Sequence, residues 1–334
     1  MGYSISVLNS IRANASTEYQ TRIPVATQNN ISTIGNALET YSLLYNEFCE
    51  ALVNKIGKTI IESKLFKNKL AKFKTGTVST GQDVEEIFIE MAKAESSYDK
   101  NGTNALGRRE MPDVKTLYHR LNRQDVYVVS IGDIDFVRVF KSEATLDSFI
   151  SGIINSVYSG ANYDEWLAMK NLIGTYDGYF DAQVPAITAD TAETASKAFV
   201  KTLRKLTNDL TVAPSTLYNK AGVKTWCEVS DLVLFVHKDV VAEVDVEVLA
   251  KAFNMGKTDI QVEIIVMDDF GSLTDTYGIL MDKSWFRVYD TLSRMEPQRN
   301  AHGLFTNYFY HVHQILSAST FKNAVRLTTA EVTA

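Results

Sequence analysis

The feature that most constrains this fold is a concentration of aromatic residues in two neighbouring stretches, GILMDKSWFRVYDTL and GLFTNYFYHVHQILSASTFKNAVRL. A buried aromatic side chain removes roughly 150 to 250 Å² from water, so such a density predicts core construction. No nucleophile pair, cysteine cluster or phosphate-binding loop accompanies these residues. We therefore predict a structural segment, with these core candidates: Trp285, Tyr289, Phe305, Tyr308 and Phe309.

Length and composition indicate a globular protein with a sizeable core. The chain has 334 residues, 45% of them hydrophobic, which is enough for one large domain or two to three smaller ones. A formal net charge of -6 argues against a general nucleic-acid binder. The only cysteines, Cys49 and Cys227, are too few for a disulfide framework. No signal peptide or membrane-spanning run is evident, and we expect no membrane contact.

The first sixty or so residues divide into a polar segment and a periodic one. Residues 1–32 are rich in Asn, Ser and Thr without a sustained period, which predicts an extended arm. Beyond them a helical apolar stripe predicts one long amphipathic helix up to residue 62, capped by Ser32 or Thr33. The stripe consists of Ile34, Leu38, Tyr41, Tyr45, Phe48, Leu52, Ile56 and Ile60.

The sequence pattern of residues 63–130 predicts one long hairpin-like excursion. A basic start and an acidic continuation flank the turn-rich segment SYDKNGTNALGRREMP, and KFKTGTV, VKTLYHRL and DVYVVSI are candidate strands. The charge split has two interpretations, solvated faces or charge-complementary docking between subunits. The second makes these residues subunit-contact candidates: Lys67, Lys69, Lys72, Lys74, Glu85, Glu86, Arg108 and Arg109.

The remaining sequence alternates helices and strands. Residues 144–173 predict two helices, or one broken at Gly160, and Asp190 with Glu193 resembles a capping box for a helix carrying Phe199 and Leu203. DLVLFV, a helix from Asp245 to Gly256, and IQVEIIVM follow in strand, helix, strand order. YGILMDKSWFRVYD predicts another strand. GLFTNYFYHVHQIL begins a long one, which we expect to run from Gly303 to Leu327. The class is α+β or contains a small α/β subdomain.

Candidate chemical sites in this sequence each lack a necessary part. The triplets at 57–59 and 256–258 resemble the end of a phosphate loop, but neither has the required glycine five positions earlier. His311 and His313 would share a strand face, yet no cysteine lies nearby to complete a metal shell. Asp268 and Asp269 follow a strand, where adjacent side chains diverge unless a turn redirects them. We predict no catalytic residue, no metal and no cofactor.

Three strings in the C-terminal region carry a family resemblance. Ile279 to Leu292, Gly303 to Tyr310, and Leu316 to Val325 are similar in content and order to segments of phage major capsid proteins of the small podovirus type. These proteins have the Hong Kong 97-like fold. The resemblance covers roughly the last hundred residues well and the remainder by order of elements.

The resemblance implies an α+β Hong Kong 97-like fold with these parts: an N-terminal arm and amphipathic helix (1–62), an extended loop (63–130), a peripheral domain with a spine helix (131–189), an axial domain (190–299), and a closing peripheral strand and C-terminal segment (300–334). We expect no immunoglobulin-like C-terminal domain of the kind that some relatives carry. No local motif for a Lys-Asn crosslink is visible.

The function implied by the resemblance is a major capsid protein that self-assembles into an icosahedral phage head enclosing double-stranded DNA. Its expected partners are further copies in pentamers and hexamers, a scaffolding protein, a portal and packaged DNA. Its expected location is the virion capsid, after assembly in the host bacterial cytoplasm. Two alternatives are a nanocompartment-type shell protein and an enzyme with a site near Asp268 and Asp269.

Overall fold

The protein is represented by a computed structural model that describes residues 3–41, 43–48, 51, 66–92, 111–132, 143–187, 192–243 and 262–331. The chain forms two compact units, each built from three segments. Unit 1 comprises Met1–Ala71, Asn122–Leu167 and Asp290–Gln314, and unit 2 comprises Lys72–Leu121, Ala168–Tyr289 and Ile315–Ala334. The predicted domain boundaries stay predictions.

Helices and strands occur in both units. The helices are α1 (Tyr3–Asn14), α2 (Thr17–Arg22), α3 (Ile31–Thr40), α4 (Glu143–Thr175), α5 (Ala192–Thr211) and α6 (Lys238–Glu243), and residues 43–48 are also helical. The strands are β1 (Gly76–Thr77), β2 (Val84–Ile89), β3 (Val114–His119), β4 (Arg123–Gly132), β5 (Phe180–Gln183), β6 (Leu232–His237), β7 (Glu263–Met267), β8 (Thr276–Asp282), β9 (Phe286–Asn300), β10 (Phe305–Ala318) and β11 (Ala324–Thr328).

The strands form three sheets. One has the order β1-β9-β10-β4, one the order β5-β11-β8-β6-β7, and the third contains only β2 and β3. In the first sheet β10 pairs antiparallel with β4 over ten residue pairs, from Phe305 opposite Gly132 to Gln314 opposite Arg123. The sheets combine with the helices to give the expected α+β class.

The N-terminal segment is helical, so the prediction of an extended arm over residues 1–32 is wrong. Ile5, Leu8 and Ile11 project from α1 into the unit 1 core. Arg12 donates to the carbonyl oxygens of Ile23 and Gln20, both at 2.7 Å, and so fastens α1 to the end of α2. The helical spacing of these apolar residues was hidden by the Asn and Ser residues between them.

The second part of the N-terminal prediction, one continuous helix, is also wrong where the structure describes it. Helix α3 ends at Thr40, and Tyr41 has an extended backbone. Ile34, Leu38 and Phe48 are nevertheless buried in the same core, because a second helical segment resumes at residue 43. Asn30, rather than Ser32 or Thr33, precedes the helix. Leu52, Ile56 and Ile60 lie outside the described residues.

Helix α4 is a single helix of 33 residues, so the predicted break at Gly160 does not occur. Glycine in a helix interior costs only about 1 kcal/mol relative to alanine. Burial of Val157, Tyr158 and Ala161 in the unit 1 core offsets that cost.

A buried polar network connects four elements within unit 1. Glu165 of α4 accepts hydrogen bonds from Asn68, at 2.7 Å, and from Gln314 of β10. Gln314 also donates to Asp290 at 2.6 Å and accepts from Arg123 of β4 at 2.6 Å. Buried polar groups that lose a partner are costly, so this network fixes one arrangement of these elements.

The five-stranded sheet forms the centre of unit 2. Strand β6 is buried along most of its length and pairs parallel with β7, which confirms the two predicted strands. Phe199, Leu203, Leu206 and Leu210 on α5 pack in the same core, as predicted. Gly278 of β8 is required there, because a Cβ atom would lie 2.9 Å from the carbonyl oxygen of Phe235. The helix predicted from Asp245 to Gly256 lies outside the described residues, as does Asp190.

The C-terminal aromatic region forms two strands instead of one. Strand β10 ends at Ala318 and β11 begins at Ala324, which corrects the single long strand expected over Gly303 to Leu327. Trp285 and Tyr308 are fully buried. Phe305 and Phe309 point to the opposite face of β10 from Tyr308 and are half-buried, as is Tyr289.

Replacing Trp285 with alanine should destabilise the unassembled protein by about 3 to 5 kcal/mol, because the indole is fully buried and packs edge-on against Tyr176 at 5.1 Å. Urea unfolding followed by far-UV circular dichroism measures this. Trp226→Ala is the matched control, since that indole is half-exposed and should cost under about 1 kcal/mol. Equal losses at both positions would contradict the core role of Trp285.

Candidate assembly surface

Strands β2 and β3 form a separate antiparallel ribbon in unit 2. Their register places Glu85 opposite Tyr118, Ile87 opposite Thr116, and Ile89 opposite Val114. This ribbon lies within the predicted excursion over residues 63–130, of which the structure describes residues 66–92 and 111–130. The excursion is shorter than predicted, because DVYVVSI belongs to β4 and pairs with β10 in the four-stranded sheet. Arg108 and Arg109 lie outside the described residues.

The inner face of the ribbon packs on the rest of unit 2. The ring of Phe88 lies 5.7 Å from the ring of Phe321, which is itself buried. Lys115 donates a hydrogen bond to the carbonyl oxygen of Ala221 at 3.0 Å. A two-stranded ribbon is marginally stable by itself, so these contacts are needed to hold its position.

An ionic cluster anchors the same inner face. The Glu86 carboxylate accepts from Arg287 of β9 at 2.6 Å and from Ser319 at 2.9 Å, and it lies 3.0 Å from Nε2 of His119. Nδ1 of His119 is 2.6 Å from the Ser317 hydroxyl. Burial by itself would raise the pKa of Glu86, but the hydrogen bonds from His119, Arg287 and Ser319 outweigh it and lower the pKa to about 2. Glu86 thus has intrachain partners, while its proposed role as a subunit contact stays a prediction.

The outer face of the ribbon is exposed, and its apolar side chains share it with Glu85 and Thr116. Ile87 and Ile89 are 54% and 60% exposed, and Val114 and Tyr118 are exposed beside them. Near the end of the ribbon, Met91 and Met111 are also exposed, and they help line a groove of about 560 Å³. A contiguous apolar face of this kind is typical of an interaction surface.

The sequence analysis missed this outer face, although the pattern that produces it is visible. In the run VEEIFIE both alternating sets contain apolar residues, Phe88 on one side and Ile87 with Ile89 on the other. The subunit contacts predicted in this region were lysine and glutamate residues, because the charge pattern is the more prominent one there. A short strand that is apolar on both faces indicates cover on both faces.

The predicted lysines lie in different surroundings. Lys67 and Lys69 are exposed on either side of the buried Asn68. Lys72 is exposed and forms an ion pair with Glu263, whereas Lys74 is half-buried. Glu85 is exposed and accepts a hydrogen bond from Tyr118 at 3.0 Å. Their roles as subunit contacts stay predictions.

The two aspartates considered for catalysis are engaged by one lysine. Lys170 of α4 donates to Asp268 at 2.9 Å and to Asp269 at 2.6 Å, because a turn after β7 brings both side chains to the same side. The hydrogen bond from Lys170 lowers the pKa of Asp269. This arrangement ties α4 to the strand end and resembles a structural ion pair more than an acid and base pair.

Two further kinds of feature, a metal site and a membrane-spanning helix, are not found in the described part of the chain. No group of three or more His, Cys, Asp or Glu side chains there is arranged to hold a metal ion, and this includes the surroundings of His311 and His313. No helix within the described ranges is long and apolar enough to cross a membrane.

The low pKa of Glu86 predicts acid sensitivity. Glutamate ordinarily titrates at 4.5, so the stabilisation from the anchored carboxylate is present above pH 4.5 and is lost as the pH falls towards 2. Urea unfolding should give a lower free energy of unfolding at pH 3 than at pH 5 in wild type. The difference should be smaller in Glu86→Gln. The shift of the Glu86 pKa from 4.5 to about 2 corresponds to a contribution on the order of 3 kcal/mol to the free energy of unfolding.

Glu85→Gln is the matched control for this measurement, since Glu85 is the neighbouring residue on the exposed face. It should retain the wild-type dependence on pH. If the free energy of unfolding depends on pH in the same way in Glu86→Gln and Glu85→Gln, the Glu86 anchor does not stabilise the fold.

Comparisons with known proteins identify relatives over almost the full chain. The family model for the Phi29-like phage major capsid protein matches residues 8–328. The major capsid protein of Bacillus phage B103 is 39% identical over 98% of this chain and 73% of its own length. That of Streptococcus phage Cp-1 is 30% identical over 96% of this chain and 93% of its own length.

Solved structures show the fold. A chain in the capsid structure of Staphylococcus phage Andhra superposes with a TM-score of 0.63 at 13% identity, covering 81% of this chain and 86% of that one. A chain in the capsid of cyanophage P-SCSP1u gives a TM-score of 0.51 at 13% identity, covering 78% and 87%. The expected Hong Kong 97-like fold is confirmed. With a family match over nearly its whole length, the chain belongs to the Phi29-like phage major capsid proteins.

Proposed function

We propose that many copies of this chain assemble into the icosahedral head of a tailed phage and enclose its double-stranded DNA. The family match and the capsid-like fold support a shell-forming role. The observation that carries the mechanism is the ribbon formed by β2 and β3. Its inner face is bound to its own chain, and on its outer face Ile87 and Ile89 are exposed in the part of the chain that the structure describes. In the proposal, a second copy covers that outer face.

The expected partners follow from shell assembly. Copies arranged around closing symmetry axes form pentamers and hexamers, and closure needs surfaces that repeat on every copy. A scaffolding protein and a portal would guide assembly in the host bacterial cytoplasm. The net charge of -6 suits a container that confines DNA without binding it tightly.

Two other functions are less well supported. A nanocompartment shell protein would share the fold, but the family match is to phage capsid proteins. An enzyme at Asp268 and Asp269 would need a free acid or base, and both carboxylates contact Lys170. The contents of purified particles distinguish a virion from a nanocompartment, because genomic DNA inside indicates a virion and a packaged enzyme indicates a compartment.

Placing a charge on the outer face of the ribbon should block assembly without unfolding the protein. Ile87→Asp with Ile89→Asp would bury two carboxylates in the proposed contact, which is strongly unfavourable. We expect at least a tenfold lower shell yield by sucrose-gradient sedimentation, with unchanged circular dichroism. Val25→Asp, at an apolar position that is 55% exposed in unit 1, is the control. Normal yield from the double variant would refute the role of the ribbon.

The lysine cluster provides an electrostatic test. If Lys67, Lys69, Lys72 and Lys74 dock between copies, changing all four to glutamine should lower shell yield and flatten its dependence on salt between 50 and 500 mM. Light scattering during assembly measures both effects. Lys201→Gln with Lys205→Gln, on the exposed face of α5, controls for loss of surface charge. Unchanged yield and salt dependence would leave the four lysines as solvated surface.

A further inference from the structure

Helix α5 in unit 2 presents a row of positive charges to solvent. Lys197, Lys201 and Lys205 follow one another at a spacing of four residues, and Arg204 comes three residues after Lys201, so all four share one side of the helix. All four are exposed, and they are called the basic face here. Residues 194–208 contain no aspartate or glutamate, so this charge is not balanced along the helix.

The opposite side of α5 is fixed in the core of unit 2. Phe199, Leu203 and Leu210 are fully buried there. At the C-terminal end of the helix, the N–H of Cys227 donates to the carbonyl oxygen of Leu210 at 3.1 Å. Because this packing fixes the rotation of α5 about its axis, the basic face stays at the surface.

The basic face is an exception in an acidic chain. The net charge of the whole protein is -6, and surface helices usually mix charges of both signs. Asp209, the acidic residue that follows the basic face, is half-buried and accepts a hydrogen bond from the Tyr218 hydroxyl at 3.3 Å. Positive charge that is collected on one rigid helix face is complementary to an anionic partner.

The density of positive charge on the basic face suits the backbone of a DNA duplex. From Lys197 to Lys205 the helix axis rises by about 12 Å, which gives one positive charge for roughly every 3 to 4 Å. Double-stranded DNA carries one negative charge per about 1.7 Å of its axis, and lysine and arginine neutralise these phosphates. Contacts to phosphate carry no sequence information, as a container for a whole genome requires.

We propose that the basic face of α5 contacts the phosphate backbone of packaged DNA and therefore lies on the interior surface of the shell. This inference rests on the proposed function, which supplies the DNA. Each copy offers few charges, so a single contact is weak and sensitive to salt. Repetition of the contact on every copy of the shell adds these weak contacts together.

Photo-crosslinking in DNA-filled particles tests the contact. The photoreactive amino acid p-azidophenylalanine replaces Asn208, which is exposed and lies about two helical turns after Lys201, so all four charges are kept. Irradiation should join the chain covalently to DNA. The matched control carries the same amino acid at Tyr118, on the outer face of the ribbon, where we expect crosslinks between copies and none to DNA.

The outcomes separate this inference from the proposed function. DNA-filled particles that give no DNA adduct at position 208, or equal adduct yields from positions 208 and 118, overturn the inference while the shell function stands. Crosslinks from position 208 only to another copy of the chain assign the basic face to contact between copies and overturn it too. Failure of the wild-type chain to form shells, or to enclose DNA in them, overturns the proposed function itself.

The salt dependence of DNA binding supplies a second arm. Fluorescence anisotropy measures binding of the unassembled chain to a short DNA duplex between about 20 and 150 mM NaCl. Lys201→Gln with Lys205→Gln should reduce the steepness of log K against log salt by about 1.8, because each lost phosphate contact removes about 0.9.

Lys67→Gln with Lys69→Gln is the matched control, since it removes the same charge from exposed positions in unit 1. It should keep the wild-type salt dependence. Equal salt dependence in the two double variants overturns the inference, and so does a wild-type chain that does not bind the duplex at the lowest salt concentration.

Discussion

The structure depends on how a two-stranded ribbon with two apolar faces is kept in place. Two strands do not bury enough surface to be stable without further packing. Within the described residues, the inner face obtains cover from Phe321 and an ionic anchor from Arg287, while the outer face with Ile87 and Ile89 has none. In the proposed function a neighbouring copy covers the outer face, and this is the physical basis of the assembly proposed for it.

Several charged groups make contacts within the chain, whereas charge docking between subunits stays a prediction. Glu86 and Lys170 both lie at joints within the chain, the first between the ribbon and β9, the second between α4 and the turn after β7. Inside unit 1, the hydrogen bond between Glu165 and Gln314 joins α4 to β10. Buried polar contacts of this kind demand one geometry, because any displacement leaves a charged or polar group without a partner. They fix the geometry within each unit, and the exposed outer face of the ribbon is the surface proposed for contact between copies.

Much of the fold was predictable from local pattern. The strand-rich C-terminal region and the apolar face of α5 follow from periodicity, because burial repeats every two or about 3.6 residues. Strand β6 follows instead from its continuous apolar run, which is typical of a strand buried on both faces. The N-terminal helices were missed, since α1 combines a short apolar stripe with Asn and Ser residues that favour turns. The continuity of α4 through Gly160 depends on tertiary packing. The exposed outer face of the ribbon was missed because the fold decides which of the two apolar sets in VEEIFIE is buried, Phe88 or Ile87 with Ile89.

The proposed assembly requires a neighbouring copy to cover the outer face of the ribbon. A cryo-electron microscopy map of the assembled particle, resolved well enough to place side chains, tests this requirement. We expect side-chain atoms of an adjacent copy within about 4.5 Å of Ile87 and Ile89. A particle in which this face is open to solvent, with copies joined only through other surfaces, would contradict it.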